Sequence, residues 1–189
     1  NKAPLVGLGF GPDGKVPGKD NFNDDNSWSV RANLMAYLGD ALRVQLKYMH
    51  REYRVHGTAG VLYGNELDTI DYVEPFNRDN LDIYNAVVDY DLDGATITSS
   101  TSYYKRYNLD RQDTTLFSQS VFGPVDPSSQ LLNQNKYNDF NQELRIASKS
   151  DGALQYVFGA YYSKLNKNFI QDGFWPEYND YFGATVIGE

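Results

Sequence analysis

Trp28-Ser29-Val30-Arg31-Ala32-Asn33-Leu34-Met35-Ala36-Tyr37-Leu38 runs into Gly39-Asp40-Ala41 and then into Leu42-Arg43-Val44-Gln45-Leu46-Lys47-Tyr48, and this stretch decides the fold. The even positions of both runs are apolar or aromatic, while most odd positions are polar or charged. A period of two is the mark of a strand with one dry face and one wet face, and the i, i+3, i+4 spacing of an amphipathic helix is absent. Gly and Asp between the runs tolerate the positive φ of a tight turn. Keeping all apolar residues on one face then sets Leu38 opposite Leu42, Ala36 opposite Val44 and Leu34 opposite Leu46.

The same arrangement recurs twice. Tyr84 to Leu92 alternates, turns at Asp93-Gly94 and continues from Ala95 through a Thr-rich run to Tyr107. That turn pairs Leu92 with Ala95, Tyr90 with Ile97 and Val88 with Ser99. Phe140, Leu144 and Ile146 then alternate with polar residues up to Ser150-Asp151-Gly152-Ala153, after which Leu154, Tyr156, Phe158, Ala160 and Tyr162 alternate again. There the expected partners are Ile146 with Leu154 and Leu144 with Tyr156. Gln142 falls on the apolar side beside Phe158, a position that the pattern does not explain. Three hairpins follow, at 26–55, 81–107 and 137–163.

The segments outside them, 1–25, 56–80, 108–136 and 164–189, are long, polar and without period, and they are expected to be loops on one side. Short turns opposite long loops is the asymmetry of an outer-membrane β-barrel. The fold expected is all-β, an antiparallel meander of about six strands forming part of a transmembrane barrel wall. Strands of ~10 residues suit a tilted crossing. Trp28, Tyr48, Tyr84 and Tyr103 make an interfacial girdle at the loop ends. Arg31, Arg43, Lys47, Asp89, Asp91, Glu143 and Arg145 share the opposite face, as an aqueous lumen demands. A one-residue slip would turn Arg43 and Lys47 toward lipid, at ~2–4 kcal/mol each. A soluble β-sandwich, as a binding module or adhesin, has the same alternation and is one alternative; a passive porin is another.

Composition narrows the function classes. The 189 residues carry 41% hydrophobic and 15% aromatic residues, too many for a disordered tail. No run of about eighteen apolar residues occurs, so no membrane-spanning helix is expected. With no cysteine, disulfides, thiolate metal sites and thiol nucleophiles are excluded. A net charge of −8 argues against nucleic acid as partner. The opening Asn1-Lys2-Ala3-Pro4, without Met or leader, is expected of a mature, processed or excised chain.

Candidate chemistry is sparse. Asp89, Asp91, Asp93 and Gly94 imitate the start of a calcium loop, but the acid required six residues after the glycine is Ser100 and the stretch is a strand entering a turn. Gly7-Leu8-Gly9-Phe10-Gly11 has neither the strand before it nor the helix after it that a phosphate cradle needs. His50 and His56 flank Glu52 and read as solvated rim residues. No metal, cofactor or catalytic group is expected. The loop aromatics Tyr63, Tyr72, Phe76, Phe174, Trp175 and Tyr178 are the candidate ligand-binding residues, since aromatic tips beside polar groups suit a bulky, partly apolar ligand.

Two stretches carry a resemblance. Asn23-Asp24-Asp25-Asn26-Ser27-Trp28-Ser29-Val30-Arg31-Ala32-Asn33-Leu34 resembles the early barrel of TonB-dependent outer-membrane receptors. Asn141-Gln142-Glu143-Leu144-Arg145-Ile146-Ala147-Ser148, with Asp151-Gly152 and Leu154 to Tyr162 after it, resembles the F-x-Q-E-L-R-x-x-S…G-x-L-x-x-x-x-G-x-Y-Y hairpin of that family, with Phe140 one position nearer the Gln. The resemblance covers about residues 23 to 165. It implies a section of a 22-stranded barrel and energised uptake of a scarce solute such as a ferric siderophore, cobalamin or oligosaccharide. It also implies localisation in the outer membrane of a Gram-negative bacterium, with outer-membrane lipid and the TonB complex as partners, the latter acting through a plug domain that this sequence does not contain.

Overall fold

The computed structural model describes residues 2–4, 18–20, 22–57, 71–122, 129–149 and 153–175. Lys2–Pro4 (β1) and Gly18–Asp20 (β2) form a small antiparallel pair. Everything else is one antiparallel meander in chain order: β3 (Asp25–Leu38), β4 (Leu42–His56), β5 (Phe76–Asp91), β6 (Ala95–Asp113), β7 (Gln130–Ser148) and β8 (Val157–Phe174). An eight-residue helix, α1 (Thr115–Phe122), lies between β6 and β7. The sheet is all-β and open, with β3 and β8 at its edges.

The first two registers follow the apolar pattern. Leu38 faces Leu42, Ala36 faces Val44 and Leu34 faces Leu46; Tyr90 faces Ile97 and Val88 faces Ser99. Gly39 takes φ 70 in the first turn, and Leu92 donates its N–H to Ala95 across the second. The third register differs from expectation. Ile146 faces Phe158 and Leu144 faces Ala160, four residues further along β8 than a tight turn at 150–153 requires. The ladder begins at Ala147 and Val157, closed by the Ser148 N–H to the Tyr156 carbonyl and by the Tyr156 N–H to the Ser148 hydroxyl. A shift of four preserves which side chain lies on which face, so the hydrophobic pattern alone could not detect it.

Gln142 now has a reason. It sits between Thr101 and Tyr162; the Thr101 hydroxyl donates to its Oε1 at 2.5 Å, and its Nε2 donates to the Ser99 hydroxyl at 3.0 Å. Both polar groups of the carboxamide are thereby satisfied across the β6–β7 seam, as an apolar environment requires.

The strands also outrun their expected ends. β5 begins at Phe76 rather than 81, β6 runs to Asp113 rather than 107, β7 starts at Gln130 rather than 137, and β8 reaches Phe174 rather than 163. Much of what reads as loop in 108–136 and 164–189 is therefore strand or helix. Asp113 organises the top of this region. Its Oδ2 accepts the backbone N–H groups of Tyr72 and Val73, and its Oδ1 accepts that of Thr115 at 2.7 Å, satisfying an orphan donor at the start of α1.

Among the described residues there is no conventional core. The buried apolar residues among those described are Phe22, Leu81 and Ala95. Leu34, Leu38 and Phe158 are 63%, 58% and 67% exposed, on the same sheet face as Val30, Leu46 and Leu144, which are also exposed. No second sheet lies over them among the described residues. Among the described residues the sheet is therefore a single layer with one bare apolar face.

Gly57 closes the far end of β4. It has φ 76 and donates its N–H to Pro75, and a Cβ there would stand 2.5 Å from the Phe22 carbonyl oxygen. Gly39 shares the positive φ but has open space around it. Gly57→Ala is therefore expected to lower stability by ~2–3 kcal/mol, and Gly39→Ala by ~1 kcal/mol. Urea midpoints of the chain folded in detergent check the order; equal effects would exclude the steric contribution.

Candidate ligand-facing wall

The seven charged residues expected to share a face do so. Register places Arg31, Arg43, Lys47, Asp89, Asp91, Glu143 and Arg145 opposite to the Leu34–Leu46–Ala86 side of the sheet. Near the turns the charges are paired. Arg43 donates Nε and an Nη to Asp89 at 3.0 and 2.6 Å, and the Thr98 hydroxyl donates to the same carboxylate at 2.6 Å. Asp91 receives Lys149 at 2.8 Å and the Thr96 hydroxyl at 2.7 Å. Glu143 and Arg145 stand 3.9 Å apart. These carboxylates are occupied by Arg43, Lys149, Thr96, Thr98 and Arg145, and no cluster of three metal-ligating side chains occurs among the described residues.

Midway along the strands the wall opens into a shallow depression of about 580 Å³. Arg31, Asn33, Lys47, Met49, Ile83, Asn85 and Ser102 line it. Neither Arg31 nor Lys47 has an ion-pair partner among the described residues.

Further along sits a cluster that the sequence reading did not single out. Asp79, with a side chain 4% exposed, receives Nε and an Nη of Arg106 at 2.6 and 2.5 Å and an Nη of Arg51 at 3.4 Å. Asn108 Nδ2 lies 3.3 Å from the same carboxylate. Two guanidiniums on one carboxylate leave a net positive site on the charged face. Lys167 continues it on β8, 5.4 Å from the Tyr137 ring centroid and 5.9 Å from that of Phe169. Beyond it, Gln171 donates to Asn133 at 2.7 Å and Asn133 to Asp110 at 3.0 Å, forming a cross-strand amide ladder. The signal for all of these was the odd–even parity of β4 to β8, had the strands been extended past the aromatic positions.

The loop aromatics are placed as follows. Tyr63 and Tyr178 lie outside the described residues. Tyr72 is tied by its backbone to Asp113. Phe76 is the first residue of β5 and has the guanidiniums of Arg78 and Arg111 over its ring, at 4.9 and 4.8 Å. Phe174 ends β8 opposite Gln130, and Trp175 lies against Gly173. Phe76 and Phe174 are three strands apart in the sheet.

On the apolar face, the aromatics form a line. Ring centroids of Tyr48 and Tyr84 are 5.0 Å apart, those of Tyr84 and Tyr103 6.4 Å, and those of Phe140 and Tyr162 6.3 Å. Their hydroxyls reach toward the next, polar level: Tyr48 donates to Asp82 at 2.9 Å and Tyr103 to Asn138 at 3.1 Å. His50, beside Trp28 with ring centroids 4.9 Å apart, bonds Asp82 through Nδ1 at 2.8 Å. Asp82 lies one outward position beyond the aromatic line, and its carboxyl is held below the ordinary carboxylate value, first by His50 and then by Tyr48 against the opposing effect of burial. His56 bonds Asp24 at 3.3 Å, so each histidine has its own carboxylate.

Comparison with models of known protein families and with curated proteins returns no match.

Replacing Asp79 by Asn leaves two guanidiniums facing each other without a counter-charge. The expected loss is ~2–3 kcal/mol, below the ~3–5 kcal/mol of a fully buried pair because both arginines are partly solvated. Arg106→Gln should cost more than Arg51→Gln, matching their distances; urea midpoints of the three variants in detergent test the ranking.

Proposed function

We propose that this chain is a section of the wall of a transmembrane β-barrel belonging to a TonB-dependent outer-membrane receptor. It would serve energised uptake of a scarce solute such as a ferric siderophore, a cobalamin or an oligosaccharide. The charged face is the lumen side, the apolar face meets outer-membrane lipid, and the TonB complex acts through a plug domain. The receptor identity rests on the resemblance of the 141–162 hairpin, whose alternation places Leu144 and Ile146 on the apolar face and Glu143 and Arg145 on the other.

One observation carries the membrane part: an aromatic edge closes the apolar face on all six strands. On each strand the outward positions reach an aromatic and then give way to a polar residue. The changes are Trp28 to Asn26, Tyr48 to His50, Tyr84 to Asp82, Tyr103 to Lys105, Phe140 to Asn138 and Tyr162 to Lys164. Residues facing one another across the ladder define levels. Tyr48, Tyr84, Tyr103 and Phe140 share the level of Ala32, while Tyr162 lies at the level of Leu34. The boundary is thus level across β4 to β7, and it lies four residues further out at Trp28 and two residues further in at Tyr162. Tyr and Trp along such an edge are the residues that a lipid–water interface favours.

The test is positional. Leu34→Arg and Leu46→Arg should each weaken folding into phosphatidylcholine vesicles by ~2–4 kcal/mol, whereas Asn33→Arg and Gln45→Arg on the other face should change it by less than ~1 kcal/mol. Equal penalties on both faces, or a monodisperse folded chain in plain buffer, would remove the membrane reading. For transport, cells producing the receptor should take up labelled solute only while the inner membrane is energised. Uptake that survives collapse of the proton gradient would make the barrel a passive pore.

A further inference from the structure

We propose that the outer face of β6–β8, just past the aromatic boundary, binds the phosphorylated headgroup of an anionic lipid through Lys105, Lys136 and Lys164. The proposal deepens the membrane-wall reading and rests on it.

Past the boundary, the first three outward positions are Lys105, Tyr107 and Leu109 on β6, Asn138, Lys136 and Gln134 on β7, and Lys164, Asn166 and Asn168 on β8. Three ammonium groups stand there with no carboxylate among the nine. The chain as a whole has 25 acidic against 17 basic residues, so this patch runs against the overall balance. The same positions on β4 and β5 read His50, Glu52, Arg54 and Asp82, Asn80, Arg78. There the signs are mixed and partly paired, with Arg54 3.4 Å from Glu52 and His50 2.8 Å from Asp82. The positive patch is thus confined to one half of the sheet.

All three lysines are exposed, and none has an ion-pair partner among the described residues. Lys105 faces Asp82 across the ladder and acts on it electrostatically, but that carboxylate is already bound by His50 and Tyr48. Lys136 lies 6.0 Å from the Tyr107 ring centroid. Strand rise and spacing put the Cα atoms of Lys105 and Lys136 ~8 Å apart and Lys164 ~12–14 Å from each. Side chains of this length can close on one phosphate-bearing headgroup, and Lys serves phosphate as a mobile point charge. Asn138, Asn166 and Asn168 add neutral hydrogen-bonding groups between the cations. The occupant is a lipid rather than a free anion because the patch adjoins the apolar band. A phosphorylated lipid engages Lys105, Lys136 and Lys164 with its head and Phe140, Leu144 and Phe158 with its chains.

The test uses the full chain in dodecyl maltoside micelles. Native mass spectrometry measures retention of phosphatidic acid and of phosphatidylcholine with identical acyl chains. Each lysine beside an anionic surface contributes ~5-fold, so a preference for phosphatidic acid of at least ~10-fold is expected. K105Q/K136Q/K164Q should abolish it, and K105R/K136R/K164R should keep it, with unchanged circular dichroism in both. Equal retention of the two lipids, persistence of the preference in the glutamine variant, or displacement of the lipid by equimolar inorganic phosphate would overturn the proposal. A chain that enters neither micelles nor vesicles overturns the wall reading itself, so the two failures are distinguishable.

Discussion

A single layer of strands carries two faces of opposite polarity, and the rest of this molecule follows from keeping them apart. The backbone groups of β4 to β7 are saturated by neighbours on both sides, so the ladder is indifferent to what lies above and below it. The side chains are not indifferent. On one face Arg43, Asp89 and Thr98 hold one another at 2.6 to 3.0 Å, while on the other Leu34, Leu38 and Phe158 stand bare. Register is the only variable that keeps these sets apart, because a one-residue slip exchanges them completely.

Polar groups on the apolar face show the same constraint at work. Gln142 is tolerated because Thr101 and Ser99 occupy both ends of its carboxamide. Tyr48 and Tyr103 are tolerated because their hydroxyls reach Asp82 and Asn138 at the next level. These polar groups are either paired within the band or delivered to its edge. That edge lines up the local chemistry of neighbouring strands, from Tyr48 through Tyr84 and Tyr103 to Phe140, which no strand encodes alone.

Past the edge the wall changes character. Both faces are polar there, and stability passes from apolar patterning to paired charges and amides: Asp79 between Arg51 and Arg106, Asp110 with Asn133 and Gln171, Asp113 with Tyr72, Val73 and Thr115. This stretch presents the ligand-facing groups in the proposed receptor, together with the lysines proposed to hold a lipid headgroup on the opposite side.

Where the two faces differ in polarity, the amino-acid sequence by itself determined the structure: the all-β meander, the first two hairpin registers and the shared face of Arg31, Arg43, Lys47, Asp89, Asp91, Glu143 and Arg145 were all readable from a period of two. It was silent where that contrast vanishes. β5 to β8 continue through Phe76, Asp113, Gln130 and Phe174 with polar residues on both sides, so alternation ends although the ladder does not. The four-residue offset at Ile146 and Phe158 was likewise hidden, because an even shift leaves every side chain on its original face. Only the tertiary structure decided these points, along with the Asp79 cluster and the alignment of the aromatic boundary across the strands. All of them depend on which residues stand side by side across strands, a relation set by backbone pairing that hydrophobicity along one strand does not record.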